Sequence, residues 1–183
     1  LKTAIKCFVI ALAIREYRKP RIIHSELYQP HNTMLVHVSR FTFWQNKTKK
    51  LVDEYISEII SALKNDNPES QDSIYSELKK LWYSENGFAY VVENIKQYLP
   101  KDYKDEFMTP LVFDSLVPIF IDAVNGLEVK ALNSQTKDKL DYPKKGKEKK
   151  IIAIGGNKLS RGFTLEGLTI NYFIRITNYS DAL

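Results

Sequence analysis

Cysteine is almost missing from this chain: Cys7 stands alone, so no internal disulfide can form and no cysteine zinc site can be assembled. A lone thiol fits a reducing compartment, and the cytoplasm is the expected location. Long hydrophobic runs are missing too. The longest, Cys7 to Ile14, falls short of the roughly 20 residues a bilayer span requires and runs into Arg15, Arg18, Lys19 and Arg21, so no membrane segment is expected. It also lacks the basic leader and small-residue cleavage site of a secretory signal. There is no internal repeat, no low-complexity tract and no Walker-type phosphate loop, because Gly155-Gly156-Asn157-Lys158 has neither the spacing nor the Lys-Ser/Thr pair.

What is present is an ordinary globular composition with a mild basic excess, 27 Lys and Arg against 22 Asp and Glu. The excess is clustered at Arg15 to Arg21, Arg40 to Lys50 and Lys144 to Lys150. Such clusters admit a polyanionic partner, and they also serve simply as solvated surface. The sequence opens on Leu1 and closes on Ser180-Asp181-Ala182-Leu183 as a new element begins. A piece of a larger protein is therefore the expectation.

The stretch Lys150 to Arg175 organises the rest. Ile151 to Ile154 is an uninterrupted apolar run of β-branched residues and Ala, the pattern of a strand buried on both faces of a parallel sheet. Gly155 and Gly156 end it, a polar loop with Ser160, Arg161, Gly162, Thr164 and Glu166 follows, and Leu168 to Ile174 reads as a further strand. Met34 to Val38 and Leu127 to Leu132 complete a set of four. Loops at the carboxyl ends of parallel strands line the ligand crevice, so Ser39, Arg40, Asn133, Ser134 and the Gly156 to Glu166 segment are expected along one edge. His31 and His37 flank the first strand; without visible partners they read as loop and sheet packing rather than metal ligands or bases.

Helical periodicity fills the remainder. Leu1 to Lys19 reads as a buried helix ended by Pro20. Thr42 with Gln45 makes a capping-box pattern at the head of a long helix whose buried stripe is Val52, Tyr55, Ile56, Ile59, Ile60 and Leu63. Lys47, Lys49 and Lys50 put cations at the end of the dipole that prefers anions. Residues 66–126 read as a helical insertion, with helices at Ser73 to Tyr83 and Phe88 to Tyr98 and a third region from Thr109-Pro110 divided by Pro118 and closed by Asn125-Gly126. The fold class expected is α/β with a mostly parallel sheet and a helical elaboration.

Two blocks match a known pattern. Leu159-Ser-Arg-Gly-Phe-Thr164, set between two strands, resembles motif V of superfamily II helicases and translocases. The wider block Ile154 to Leu168, together with His31 to Arg40, resembles the Z-one domain, a bacterial family found joined to superfamily II ATPase modules and often labelled an endonuclease. The resemblance implies a single RecA-like lobe over 1–183, the second lobe of a DNA-dependent ATPase or translocase of a restriction-modification or repair system. It implies ATP and Mg²⁺ shared with a first lobe elsewhere in the parent ATPase. It puts Gly162 and Thr164 on the nucleotide side, with Glu166 the nearest acid because Thr164 stands where helicases carry Asp. Ser39, Arg40, Asn133, Ser134, Ser160 and Arg161 would face nucleic acid. Alone, this lobe would not hydrolyse ATP, since phosphate cradle, metal and arginine finger must come together.

Two other functions stay open. A Mg²⁺-dependent nuclease would use the acid-x-Lys pattern Glu128-Val-Lys130, with Asp114 or Asp122 upstream; a solvent-facing ion pair explains the same residues. A non-catalytic DNA-binding or interaction module would also fit Gly156, Asn157 and Thr164.

Overall fold

The β-branched run Ile151 to Ile154 lies in β3 (Lys150–Gly155), one of two central strands of a four-stranded sheet, and every residue of that strand is buried. Its neighbour β1 (Asn32–His37) is buried along its whole length as well. The computed structural model describes residues 1–26, 28–103, 111–133, 140–143, 148–156 and 164–173. With β2 (Leu127–Leu132) and β4 (Leu168–Phe173) the strand order is β2-β3-β1-β4. All three pairings are parallel. The carboxyl ends of all four strands therefore share one edge and the amino ends the other.

Register follows from the apolar pattern. Met34 pairs with Ile152, Leu35 with Ala153 and Val36 with Ile154, so a slip of one residue would turn these side chains to the wrong face. Leu35, Leu132, Ile151 and Ala153 form one buried cluster, with Leu140, Tyr142 and Leu165 packed on it. Cutting one of the larger members back to Ala would cost about 2–5 kcal/mol. β1 begins two residues earlier than the apolar run Met34 to Val38, because Asn32 and Thr33 are buried through polar contacts that hydropathy does not register.

Two helix ends differ from expectation. Helix α1 (Lys2–Ile22) continues through Pro20. Proline in the last turn removes a single backbone bond, and Ile23 N–H to the Lys19 carbonyl at 3.0 Å closes the turn beyond it. In α2 (Thr42–Asn65) the capping box does not form: Trp44 and Gln45 donate their backbone N–H to the Phe41 carbonyl, and the Gln45 side chain bonds the Ser39 carbonyl at 3.0 Å. The buried stripe of α2 holds at Val52, Ile56, Ile59 and Leu63.

The chain forms two compact units. The sheet unit comprises Leu1–Ala4, Gln29–Ser57 and Gly126–Leu183; the helical unit comprises Ile5–Tyr28 and Glu58–Asn125, and so takes in more than 66–126. The helical unit holds α3 (Ile74–Trp82), α4 (Phe88–Asn94) with a 3₁₀ turn at Ile95–Tyr98, 3₁₀ turns at Phe113–Ser115 and Val117–Ile119, and α5 (Phe120–Val124). Ser73 caps α3 by accepting the Ser76 N–H. Trp82 stacks on Phe88 and meets Phe113 edge-on, and Phe113 packs against Phe120. Trp82, Phe113 and Phe120 are core, whereas Tyr83 and Tyr90, which share their helical spacing, are exposed. Gly126, at φ +74, makes the left-handed exit into β2. Thr109, Pro110 and Phe107 lie outside the described residues.

Candidate functional site

At the carboxyl edge the chain leaves β1 through Val38, Ser39 and Arg40 and turns into α2. Val38 N–H still bonds the Gly155 carbonyl at 2.9 Å, which carries the β1–β3 ladder to the edge. A Cβ on Gly156 would lie 2.9 Å from both the Ser39 carbonyl oxygen and Gln45 Nε2, and 3.0 Å from Arg40 Cα. Glycine is thus required for the end of β3 to lie against the Ser39–Arg40 turn. Ser39 Oγ accepts the Phe41 N–H at 3.3 Å, and Asn133, leaving β2, donates to Asn46 of α2 at 3.1 Å. Gln45 is 3% exposed, and its Oε1 has no hydrogen-bond partner among the described residues. Ser39, Arg40, Asn133 and Gly156 therefore do come together, around the first turn of a 24-residue helix that carries no acid there. His37 is packed at the same edge, its ring stacked on Phe173 at 4.4 Å.

The lysines of this helix sort into two kinds. Lys49 pairs with Asp53, and Lys50 with Glu54 at 3.8 Å, both one turn along. Lys47 instead lies over the Trp44 ring, 5.5 Å from its centre, and the Arg40 guanidinium lies 5.2 Å from the centre of the Phe41 ring. Sequence reading gave Phe41, Phe43 and Trp44 no role. For Phe43 and Trp44 a signal was present, since both stand off the stripe that Val52, Ile56 and Ile59 define; Phe41 falls in line with that stripe but precedes the helix.

Glu166 is not part of this edge. It precedes β4, which runs parallel to β1, so the connection from β3 must return to the amino ends before β4 can start. The Thr33 hydroxyl donates to the Glu166 carbonyl at 2.7 Å and accepts from the Tyr142 hydroxyl at 2.8 Å. Six residues of strand, roughly 20 Å at 3.3 Å each, separate this point from Ser39. The edge expected to hold the whole Gly156 to Glu166 segment therefore lacks its last member, and Thr164 is exposed.

At the amino edge several polar side chains bond one another, although the buried Asn32 Oδ1 has no partner among the described residues. His31 Nδ1 accepts the Lys149 N–H at 3.2 Å, which leaves the ring proton on Nε2 to donate to the Pro143 carbonyl at 3.2 Å. Glu166 Oε2 lies 3.7 Å from the same Nε2. Burial pushes the Tyr142 hydroxyl above its ordinary pKa, so it stays a donor to Thr33. Gly167 sits at φ +64, where an added Cβ would lie 1.8 Å from the His31 carbonyl oxygen.

Glu128 and Lys130 lie on edge strand β2. Glu128 meets Lys130 at 3.0 Å and Lys149 at 3.2 Å. The hydrogen bond from Lys130 is the chief reason its carboxyl is held below the ordinary value, against a smaller opposing effect of burial. One acid between two lysines is an ion-pair cluster, and no group of three His, Cys, Asp or Glu side chains among the described residues could hold a metal ion. Asp114 pairs with Lys79 at 3.1 Å beside a groove of about 280 Å³ in the helical unit. Burial raises the pKa of the Cys7 thiol and leaves it a poor nucleophile. Ser134, Ser160, Arg161, Gly162 and Asn157 lie outside the described residues.

These features define an α/β protein with an all-parallel sheet whose carboxyl edge meets the start of α2. No described helix is long and apolar enough to cross a membrane. The Z1 domain family model matches residues 1–183, and the chain belongs to that family. No curated protein and no solved structure matches it.

Proposed function

We propose that the chain is the second, RecA-like lobe of a DNA-dependent ATPase or translocase, and that its carboxyl edge contacts the nucleic-acid backbone. The observation that carries this reading is the fit of Gly156, at the start of the second block, against the Ser39–Arg40 turn that ends the first. A helix start offers unpaired backbone N–H groups and a positive dipole end, both suited to phosphate. Arg40 and Lys47 add cations that pair with no carboxylate among the described residues, and Asn133 adds an amide. Such contacts fix register on a strand without reading its sequence.

The nucleotide half of the proposal rests on the motif V resemblance. The described residues do not fit an ATP–Mg²⁺ site of their own: Glu166 stands at the opposite edge, and no metal-holding group is present among them. Nucleotide and metal would be held chiefly by the first lobe, with Gly162 and Thr164 facing it. The alternative, a Mg²⁺-dependent nuclease at Glu128 and Lys130, has less support because Glu128 is engaged by two lysines at the amino half of its strand.

The test is ATP hydrolysis by the full-length protein with and without DNA, Mg²⁺ present, while the DNA is checked for cuts. Turnover stimulated by DNA and lost in Arg40→Ala is the expected result. Turnover indifferent to DNA would remove the proposal, and cutting abolished by Glu128→Ala would install the nuclease in its place. DNA binding without turnover would leave a non-catalytic module.

A further inference from the structure

At the same edge stands a group of exposed aromatics. Phe41 is 57% exposed, Phe43 68% and Trp44 50%. Large apolar side chains scattered singly on a surface need no explanation, but a contiguous group marks an interaction site. Phe43 and Trp44 meet edge-to-face, ring centres 5.3 Å apart and planes at 78°, so their faces point in different directions and each can take its own planar partner. The partner's charge follows from the cations among them. Lys47 follows Trp44 by three residues and Phe43 by four, which places it beside both on a helix, and Arg40 lies over Phe41. No acidic residue occurs from Ser39 to Val52.

We propose that Phe41, Phe43 and Trp44 form a stacking platform for unpaired bases, so that this edge takes single-stranded DNA in preference to duplex. The inference rests on the carboxyl-edge reading above and specifies the form of nucleic acid. Aromatic faces stack on bases of any identity, and alternating cations track the phosphates between them. In a duplex the base faces are already covered by their neighbours, so a platform of this kind gains contact area solely from a strand that is open. A protein partner for these aromatics would need acidic groups opposite Arg40 and Lys47, and gains nothing from the perpendicular ring faces.

The experiment is fluorescence anisotropy of a labelled 12-nucleotide oligothymidylate and of a 12-base-pair duplex hairpin, each titrated with the full-length protein over a series of salt concentrations. The expected result is at least tenfold tighter binding of the single strand. Trp44→Ala and Phe43→Ala should each weaken it about tenfold, with duplex affinity and salt slope unchanged, and Trp44→Phe should restore most of the loss. Lys47→Ala should instead lower the salt slope by about one phosphate contact. Circular dichroism of the variants separates lost folding from lost stacking. Equal affinity for both forms, with Trp44→Ala indistinguishable from the parent, would overturn the platform. Arg40→Ala would in that case still report on the backbone contact, because it should weaken both forms if the carboxyl-edge reading holds. Trp44→Ala that keeps all DNA binding but loses association with another protein would assign the aromatics to that partner instead.

Discussion

The two edges of one sheet are built from similar residue types to opposite effect. At the amino edge His31, Thr33, Tyr142 and Lys149 find each other, and each bond is made within the chain. At the carboxyl edge Arg40 and Lys47 lie over exposed rings, and Gln45 holds a buried oxygen with no partner among the described residues. Groups already bonded within the chain leave little capacity for a ligand, whereas exposed cations and aromatics keep theirs. The contrast separates a histidine engaged through both ring nitrogens from an arginine laid over an exposed ring, although sequence alone presents both as polar residues flanking a strand.

The largest break in this contrast should come from Gly167→Ala. A methyl group 1.8 Å from the His31 carbonyl at positive φ forces the chain apart there, and a loss of about 3 kcal/mol or more in urea unfolding is expected. Next comes His31→Phe. It keeps a ring but leaves the Pro143 carbonyl and Lys149 N–H without their partner, for an expected loss of about 2 kcal/mol, with DNA affinity unchanged if the edges are independent. The smallest effect is that of Glu128→Gln. The carboxyl titrates below its ordinary 4.5 in the folded chain, so its stabilisation is present above that value and lost as pH falls through the lower folded value. At 43% exposure screening holds it below about 0.5 kcal/mol. Wild type and variant should differ slightly at neutral pH and converge in acid.

The strands were legible because Ile151 to Ile154 and Met34 to Val36 carry their burial in their side chains. Helix ends were less so. Pro20 is a breaker by rule, yet one lost bond in a last turn is cheaply tolerated, and the Gln45 side chain bonds the Ser39 carbonyl rather than reaching back to the Thr42 N–H. The place of Glu166 could not be read from its neighbours, since parallel pairing with β1 fixes it and pairing is a long-range fact. Conversely, the gathering of Ser39, Arg40, Asn133 and Gly156 was legible from the expectation of a parallel sheet. Phe43 and Trp44 were visible as aromatics off the helical stripe but carried no motif.

The pairing of β1 with β3 also imposes a schedule. His31 and Lys149, which flank these strands, are 118 positions apart. At a synthesis rate of about 5–20 residues per second, β1 leaves the ribosome roughly 6 to 24 seconds before its first hydrogen-bonded neighbour exists. Through that interval Met34, Leu35 and Val36 have no sheet to enter, and a holding chaperone has its clearest target in the nascent chain there.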